Sequence, residues 1–274
     1  MRHAANVEKL ELVSTSLQLP PSRQQIPQPP RGAVPKTEGL LWAVEGQSLN
    51  AVTSNGADAA RVWILDTQWQ MIGEVKPPLR ARQEPRQIVA LWDGRGERLL
   101  VSVMVDDRPP YAHYVGVVAP PDVTLTWIAS EFRDMSDFGW LPDGDRRAFV
   151  LARDGQWQTL MIADPEDGKA TSHRVAKCDE RIALWDVLAS PDGTRAAFER
   201  VGDSRDHTLQ LGVLLLDLLT GEVGEITSED TKRYVHQPWK WESPVSLLFT
   251  RRTDGPYPEV WRARLRPRAA STPP

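Results

Sequence analysis

The stretch WLPDGDRRAFV (140–150) recurs 49 positions later as ASPDGTRAAFE (189–199). Pro, Asp, Gly, Arg, Ala and Phe occupy matching places in the two copies. Proline fixes φ at the first turn position, the aspartate side chain can bond the turn backbone, and glycine tolerates positive φ. Each copy therefore predicts a tight hairpin turn that leads into a strand of aromatic and small apolar residues.

The repeat extends beyond these two copies when the tryptophan at the head of the first copy is taken as an anchor. Successive anchor positions are 50, 48, 49 and 52 residues apart, and they are Trp42, Trp92, Trp140, Ala189 and Trp241. A second landmark, an apolar run that ends in aspartate, follows three of them, at Asp66, Asp164 and Asp217. The four tryptophans share one phase of the repeat, which favours packing between neighbouring units over a ligand cage. A hairpin, an apolar run and a second turn predict four antiparallel strands in each unit.

Four-stranded units of about 40–50 residues are typical of the blades of a β-propeller, because one such unit cannot bury both of its faces. The Pro-Asp-Gly turns and the downstream Asp-x-x-x-Gly turns resemble the repeats of TolB-type β-propellers, bacterial relatives of the WD-repeat family. The resemblance covers residues 38–268 and is strongest in the third and fourth units, since the first and fifth lack Pro-Asp-Gly. It implies a binding platform in a multiprotein assembly and transfers no catalytic residue. We expect an all-β fold, a single propeller of five blades, with six as the alternative.

The fifth unit is one strand short, and the N-terminal arm can supply it. Residues 7–19, which alternate polar and apolar side chains in part, are the predicted closing strand. Residues 20–37 form a linker with six prolines between positions 20 and 35, a composition that favours extended polyproline conformation. This linker either crosses the face of the ring or docks a partner. The predicted organisation is an arm over 1–37, a propeller over 38–268 and a disordered tail over 269–274.

Composition excludes several classes of protein. The 33 Lys and Arg against 37 Asp and Glu give a net charge of −4, so no general attraction to nucleic acid is expected. The single cysteine, Cys178, cannot form an internal disulfide. No apolar run has the length of a membrane span, and the first residues lack the apolar core of a signal peptide. We expect a cytoplasmic protein, or a periplasmic one if an export signal has been removed.

The motifs of common catalytic and cofactor sites are missing from the sequence. It contains no Gly-x-Ser-x-Gly elbow, no His-Glu-x-x-His pair and no Gly-x-x-x-x-Gly-Lys phosphate loop. Its five histidines are scattered. The sequence therefore predicts no catalytic residue, no bound metal and no cofactor.

One group of polar positions is a candidate binding site because the repeat would bring it together. The loops that enter the innermost strand of each blade lie near the central channel of a propeller. The residues just before the anchors are the channel-mouth candidates, namely Arg86, Gln87, Asp134, Asp137, Asp186, His236 and Trp239. Ordinary hydrated loop residues are the alternative interpretation of the same positions. Trp69 and Trp157 are out of phase with the anchors, as Trp239 is, and are candidates for an interaction surface on the rim.

Three functions are compatible with these features. The first is a noncatalytic scaffold or adaptor, a monomeric propeller that binds one or more proteins within a larger bacterial complex. The second is a glycan-directed hydrolase or lectin that uses paired channel carboxylates such as Asp137 and Asp186. The third is a regulatory propeller that acts as a sensor beside a separate effector.

Overall fold

The structure is a computed structural model that describes residues 3–4, 7–14, 29–35, 40–45, 49–55, 60–77, 79, 85–105, 112–120, 122–142, 147–178, 182–202, 212–226, 236–251 and 257–266. These residues form strands, turns and irregular segments, and they include no helix that could cross a membrane. The chain divides into two compact units. The first unit comprises residues 21–155 and 159–172, and the second comprises 1–20, 156–158 and 173–274.

The described residues form twenty strands. In chain order they are β1 (His3–Ala4), β2 (Val7–Ser14), β3 (Leu40–Glu45), β4 (Leu49–Asn55), β5 (Arg61–Asp66), β6 (Met71–Val75), β7 (Gln87–Trp92), β8 (Leu99–Met104), β9 (Ala112–Val118), β10 (Thr126–Trp140), β11 (Ala148–Asp154), β12 (Trp157–Ala163), β13 (Ala170–Lys177), β14 (Ile182–Ala189), β15 (Arg195–Gly202), β16 (Val213–Asp217), β17 (Val223–Ile226), β18 (His236–Ser243), β19 (Ser246–Arg251) and β20 (Glu259–Leu265).

The first unit begins with blade 1, the antiparallel sheet β3-β4-β5-β6. Blades 2 and 3 follow as one continuous sheet from β7 to β13, because they share the long strand β10. The first half of β10 pairs with β9, from Thr126 opposite Val117, whereas its second half pairs with β11, up to Trp140 opposite Ala148. Strand β10 is therefore the outermost strand of blade 2 and the innermost strand of blade 3.

The second unit contains blades 4 and 5. Blade 4 is the sheet β14-β15-β16-β17, and the short β1 adds to its outer edge parallel to β17. Blade 5 is the sheet β18-β19-β20-β2, in which β2 runs antiparallel to β20. The N-terminal strand thus supplies the fourth strand of the last blade, as predicted, over Val7–Ser14. The described residues form five blades, as predicted. Residues 15–28 of the arm and linker lie outside the described residues.

Apolar side chains of neighbouring blades pack together within each unit. In the first unit, Ile64 of blade 1 belongs to one buried cluster with Val101 and Val103 of blade 2. In the second unit, Leu215 of blade 4 shares a cluster with Phe249 of blade 5, and Val7 and Leu10 of β2 pack against this cluster. Burial of a leucine-sized side chain stabilises a fold by about 1.5–3 kcal/mol. The closing strand is therefore held by apolar burial as well as by backbone pairing.

The anchor tryptophans bond one blade to the next. The indole nitrogen of Trp140 in blade 3 donates to the carbonyl oxygen of Leu91 in blade 2, at 3.0 Å. In the second unit, Trp241 of blade 5 donates in the same way to Leu188 of blade 4, at 2.8 Å. The predicted role in packing between blades is thereby confirmed for Trp140 and Trp241. Trp92 packs against the core of the first unit, and the side chain of Trp42 lies outside the described residues.

An arginine after the hairpin turn reaches from each of two blades to the following one. Arg195 of blade 4 donates through Nη1 to the carbonyl of Pro244 at 2.8 Å and through Nη2 to that of Arg266 at 3.1 Å. Arg98 occupies the same repeat position in blade 2, and its guanidinium lies 5.4 Å from the ring centre of Trp140 in blade 3. A tryptophan that bonds to the preceding blade and an arginine that contacts the following blade together fix the packing of consecutive blades.

The repeated aspartates cap turns. Asp66 accepts backbone hydrogen bonds from Gln68 and Gln70 through Oδ1. Asp217 accepts backbone hydrogen bonds from Leu219 and Thr220 through its Oδ1. In the Pro-Asp-Gly turn of blade 4, Asp192 accepts from the hydroxyl of Ser190 at 2.6 Å, and Gly193 has φ +63°. Bonds of this kind satisfy turn backbone that would otherwise need water. The corresponding Asp143 of blade 3 lies outside the described residues.

A cluster of charged side chains ties the closing strand to blade 5. Arg262 of β20 donates to both carboxylate oxygens of Glu242, at 2.6 and 2.8 Å, and lies 3.4 Å from Glu11 of β2. Arg264 also lies 3.4 Å from Glu11. The hydrogen bonds from Arg262 hold the pKa of Glu242 at about 2, well below its ordinary value. This cluster is an ion-paired network across β2, β20 and β18.

Candidate functional site

The innermost strands of blades 3, 4 and 5 are bulged near the residues that precede the anchors. In β14, Asp186 and Val187 stand opposite the single residue Phe198, and in β18 Trp239 is an extra residue between two paired positions. In β10, a register shift falls between Arg133 and Asp137, and it includes Asp134. Three of the predicted channel-mouth residues, Asp134, Asp186 and Trp239, are therefore bulge residues. Bulges redirect side chains and are enriched beside functional sites.

Two of these bulges place an aspartate in a left-handed backbone conformation. The φ angles are +48° for Asp134 and +47° for Asp186, and Trp69 is the third non-glycine residue with positive φ among the described residues. Aspartate tolerates this region better than most residues because its short polar side chain can bond locally. The aspartate at each bulge is thus compatible with the backbone that the bulge requires.

In the second unit, Asp186 lies against a glutamate that is buried between blades 4 and 5. Glu199 of β15 is 6% exposed, and its Oε1 accepts a hydrogen bond of 2.5 Å from the side-chain amide of Gln237 on β18. The carboxyl groups of Glu199 and Asp186 are close enough to form a hydrogen bond. The negative charge of Asp186 beside it disfavours ionisation of Glu199, since two negative charges repel each other.

The environment of Glu199 favours its protonated form. Burial raises the pKa of the Glu199 carboxyl above its ordinary value. The hydrogen bond from Gln237 lowers this pKa, whereas the neighbouring Asp186 raises it further. Glu199 therefore holds its proton at a higher pH than an exposed glutamate does.

Two partly exposed tryptophans stand on the strands that carry Asp186 and Gln237. Trp185 precedes Asp186 and is paired in register with Glu199, which places the two side chains on the same face of the sheet. Trp239 follows Gln237 by two positions. The exposed fractions are 46% for Trp185 and 40% for Trp239. We call the set Trp185, Asp186, Glu199, Gln237 and Trp239 the aromatic-acid surface.

In the first unit, the candidate carboxylates have different neighbours. Asp134 is exposed and lies 3.8 Å from the guanidinium of Arg153. Burial lowers the pKa of the nearby His113, and the negative charge of Asp134 opposes that shift. Asp137 is half-buried and accepts a hydrogen bond from the backbone nitrogen of Phe138 at 2.8 Å. These two carboxylates bond to their own blades.

The remaining channel-mouth candidates lie at the starts of innermost strands. Gln87 is the first residue of β7, Arg86 precedes it, and both are exposed. His236 is the first residue of β18, and its side chain lies outside the described residues. Asp186 contacts Glu199, and Glu199 bonds to Gln237 of β18. Strand β18 also carries Trp239, so the structure links two of the predicted residues through this pair of contacts. The meeting of candidates from all blades around one channel stays a prediction.

The two rim candidates are half-buried. Trp69 packs with Trp63 and Leu65 of blade 1 beside Ala33 and Val34 of the proline-rich linker. A shallow cavity of about 470 Å³ lies between residues 30–35 and 68–71. Residues 29–35 of the linker therefore lie against blade 1 of the first unit.

The other rim candidate, Trp157, is flanked by positive charge. The charged groups of Arg174 and Lys177 each lie 5.7 Å from its ring centre. Interaction of Trp157 with a partner stays a prediction.

Sequence reasoning missed Trp185, Glu199 and Gln237. A signal for Glu199 was present, because it ends the copy ASPDGTRAAFE at the place where the other copy has the apolar Val150. A carboxylate at an apolar position of a repeat needs a partner when it is buried. Gln237 could not be found in this way, since its contact with Glu199 depends on how blade 5 packs against blade 4.

The chemistry available at this surface is binding of polar and aromatic groups. Among the described residues, no cluster of histidine, cysteine and acidic side chains could hold a metal ion. Asp186 and Glu199 are in hydrogen-bonding contact.

Comparison with known proteins finds similarity in the three-dimensional fold and none in the sequence. No family model matches the sequence, and no curated protein matches it. The structure is similar to a Mycobacterium tuberculosis puromycin-hydrolyzing peptidase, with 14% identity and a TM-score of 0.52 over 83% of this chain and 36% of that one. It is similar to the Dos1 propeller, with 10% identity and a TM-score of 0.50 over 82% of this chain and 54% of that one.

TolB from Acinetobacter baumannii also matches, with 13% identity and a TM-score of 0.41 over 79% of this chain and 51% of that one. The chain spans about a third of the peptidase and about half of the other two proteins. The likeness to the peptidase and to the Dos1 propeller, together with the four-stranded antiparallel blades, shows a β-propeller fold. These neighbours include both an enzyme and a protein named only as a propeller.

Proposed function

We propose that this chain is a noncatalytic β-propeller that binds a protein partner through the aromatic-acid surface. The observation that carries the proposal is the exposure of Trp185 and Trp239 on the innermost strands of two consecutive blades. Binding energy at protein interfaces concentrates in a few tryptophan, tyrosine and arginine side chains. Two such side chains beside hydrogen-bonding groups supply the apolar area and the polar contacts of an interface centre.

The position of the surface on a rigid framework supports the same function. Trp185 and Trp239 stand on strands that are joined by the bond from Trp241 to Leu188. Anchors on packed strands lose little conformational freedom when a partner binds. Blades 4 and 5 thus present a preformed surface.

The proposal is tested by recovering the partner from the native host with tagged full-length chain. We expect one or more proteins to copurify with the wild type and to be lost with the double variant Trp185→Ala, Trp239→Ala. Leu219→Ala is the matched control, because this leucine is 72% exposed in a turn of the same unit. Equal recovery of the same proteins by the double variant would contradict the proposal.

The enzymatic alternative is tested by assaying glycan hydrolysis with the same preparations. We expect no turnover of any substrate in a broad glycan panel. Turnover that disappears in Asp137→Asn or Asp186→Asn, with the melting temperature unchanged, would replace the scaffold function by a hydrolase.

A further inference from the structure

The carboxyl pair of the aromatic-acid surface differs in its charge balance from two other acids of the second unit, Glu225 and Glu242. Glu225 pairs with Arg200 at 2.9 Å, and Glu242 pairs with Arg262 at 2.6 Å. Asp186 and Glu199 form no ion pair with any cation in the part of the chain that the structure describes. This surface therefore has negative charge that the described residues do not neutralise.

The groups around the pair are those that a planar cation needs. Asp186 is exposed, so its carboxylate is open to an incoming donor. Gln237 uses its amide nitrogen for Glu199, which leaves its side-chain carbonyl as an acceptor. The rings of Trp185 and Trp239 are partly exposed, and an indole ring is the best aromatic surface for a cation.

We propose that the aromatic-acid surface receives an arginine side chain of the partner protein. This inference rests on the proposed function and names the chemistry of the group that is bound. The guanidinium donates to the carboxylates of Asp186 and Glu199 and stacks on a tryptophan ring. Arginine fits better than lysine because its donors form a planar fork that matches a carboxylate while its face stacks on an aromatic ring.

The proton that Glu199 holds leaves when the guanidinium arrives. Glu199 loses it to solvent, and both carboxylates then accept hydrogen bonds from the cation. The O–H bond of Glu199 is the one covalent bond that breaks in this exchange, and the bound cation compensates the negative charge that the departing proton leaves behind.

The test measures binding of a small probe to the isolated full-length chain. The probe is N-acetyl-arginine methylamide, and N-acetyl-citrulline methylamide is the neutral control of nearly the same shape. Indole N–H resonances are followed in ¹⁵N-labelled protein, with Trp185→Phe and Trp239→Phe used to assign the two signals. We expect a saturable shift of these signals with the arginine probe and a response about tenfold weaker or more with citrulline and with the lysine analogue.

Charge-removing variants complete the test. Asp186→Asn suits the left-handed backbone, since asparagine also tolerates positive φ, and Glu199→Gln keeps the size of the side chain. We expect each to weaken binding of the arginine probe about tenfold while the remaining indole signals stay in place. Equal binding of citrulline or lysine, or unchanged binding in both variants, overturns the arginine assignment.

Failure of this inference is distinguishable from failure of the proposed function. If the double tryptophan variant loses the copurified partner but the arginine probe does not shift the indole signals, the arginine assignment fails and the binding function stands. If the partner is retained by that variant, the proposed surface itself is wrong.

Discussion

The indole nitrogen of Trp241 lies 2.8 Å from the carbonyl oxygen of Leu188, so a side chain of blade 5 donates a hydrogen bond to the backbone of a bulged strand in blade 4. Trp241 is 6% exposed and belongs to the apolar cluster of the second unit. One residue therefore contributes both apolar burial and a bond to the backbone of its neighbour.

Trp241→Phe separates these two contributions. The ring remains apolar, but the carbonyl of Leu188 loses its donor, and we expect the free energy of unfolding to fall by about 1–2 kcal/mol. Urea denaturation at pH 7 measures the change. Trp239→Phe is the control, because this tryptophan is 40% exposed, and we expect a change below about 0.5 kcal/mol. Equal losses in the two variants would show that the bond does not stabilise the contact between the blades.

Asp192→Ala removes the cap of the hairpin turn in blade 4. We expect a loss of about 0.5–2 kcal/mol in unfolding free energy, since Asp192 accepts bonds from Ser190 and Thr194. Melting and partner recovery are measured on the same preparation. Loss of the partner without loss of stability would make this turn part of a binding site.

Glu242→Gln tests the charged cluster on the closing strand. The pKa of Glu242 is lowered to about 2, so its contribution to stability is present above the ordinary value of 4.5 and is lost as pH falls toward 2. We expect the variant to lose about 1 kcal/mol at pH 7, a figure reduced for the partial exposure of this pair. Denaturation at pH 7 and pH 3 checks the sign, because the difference between variant and wild type shrinks at the lower pH.

The exposed Glu222 in the turn between β16 and β17 supplies a matched control. We expect Glu222→Gln to leave unfolding unchanged at both values of pH. A Glu242→Gln difference that is the same at pH 7 and pH 3 contradicts the ion-pair account.

Glu199→Gln tests the raised pKa of Glu199. Burial raises the pKa of Glu199, so the folded state keeps a proton that the unfolded chain has already lost. The stabilisation from Glu199 is fully present below the pKa that this group has in the unfolded chain. It is lost as pH rises through the pKa that the group has in the folded protein. We expect wild-type stability to decline relative to that of the variant as pH increases from about 4.5. Parallel urea midpoints from pH 4 to 8 would contradict this assignment.

The repeat in the sequence predicted the blades because turn chemistry is local. Pro-Asp-Gly and the aspartate that ends each apolar run specify backbone within a few residues, and Asp66, Asp192 and Asp217 all cap turns in the structure. The closing strand was predictable because the last blade lacked a strand and the arm had the matching pattern.

The site was predictable only in part. Asp134, Asp186 and Trp239 were selected by position before the anchors, and all three lie at bulges, but a bulge depends on strand register that no local pattern specifies. The contact of Glu199 with Gln237 joins two blades across 38 residues of sequence. Such contacts follow from packing, which the repeat alone does not describe.

The pairing of β2 with β20 imposes a delay on folding during synthesis. Glu11 and its partner Arg262 are 251 positions apart, so β2 leaves the ribosome long before the strand that it pairs with exists. At about 5–20 residues per second, this interval is roughly 10–50 s. For that time Val7 and Leu10 lack the apolar cluster that covers them in the finished blade. The order of synthesis therefore makes blade 5 the last blade to form, and among the described strands it makes β2 the one that waits longest for its partner.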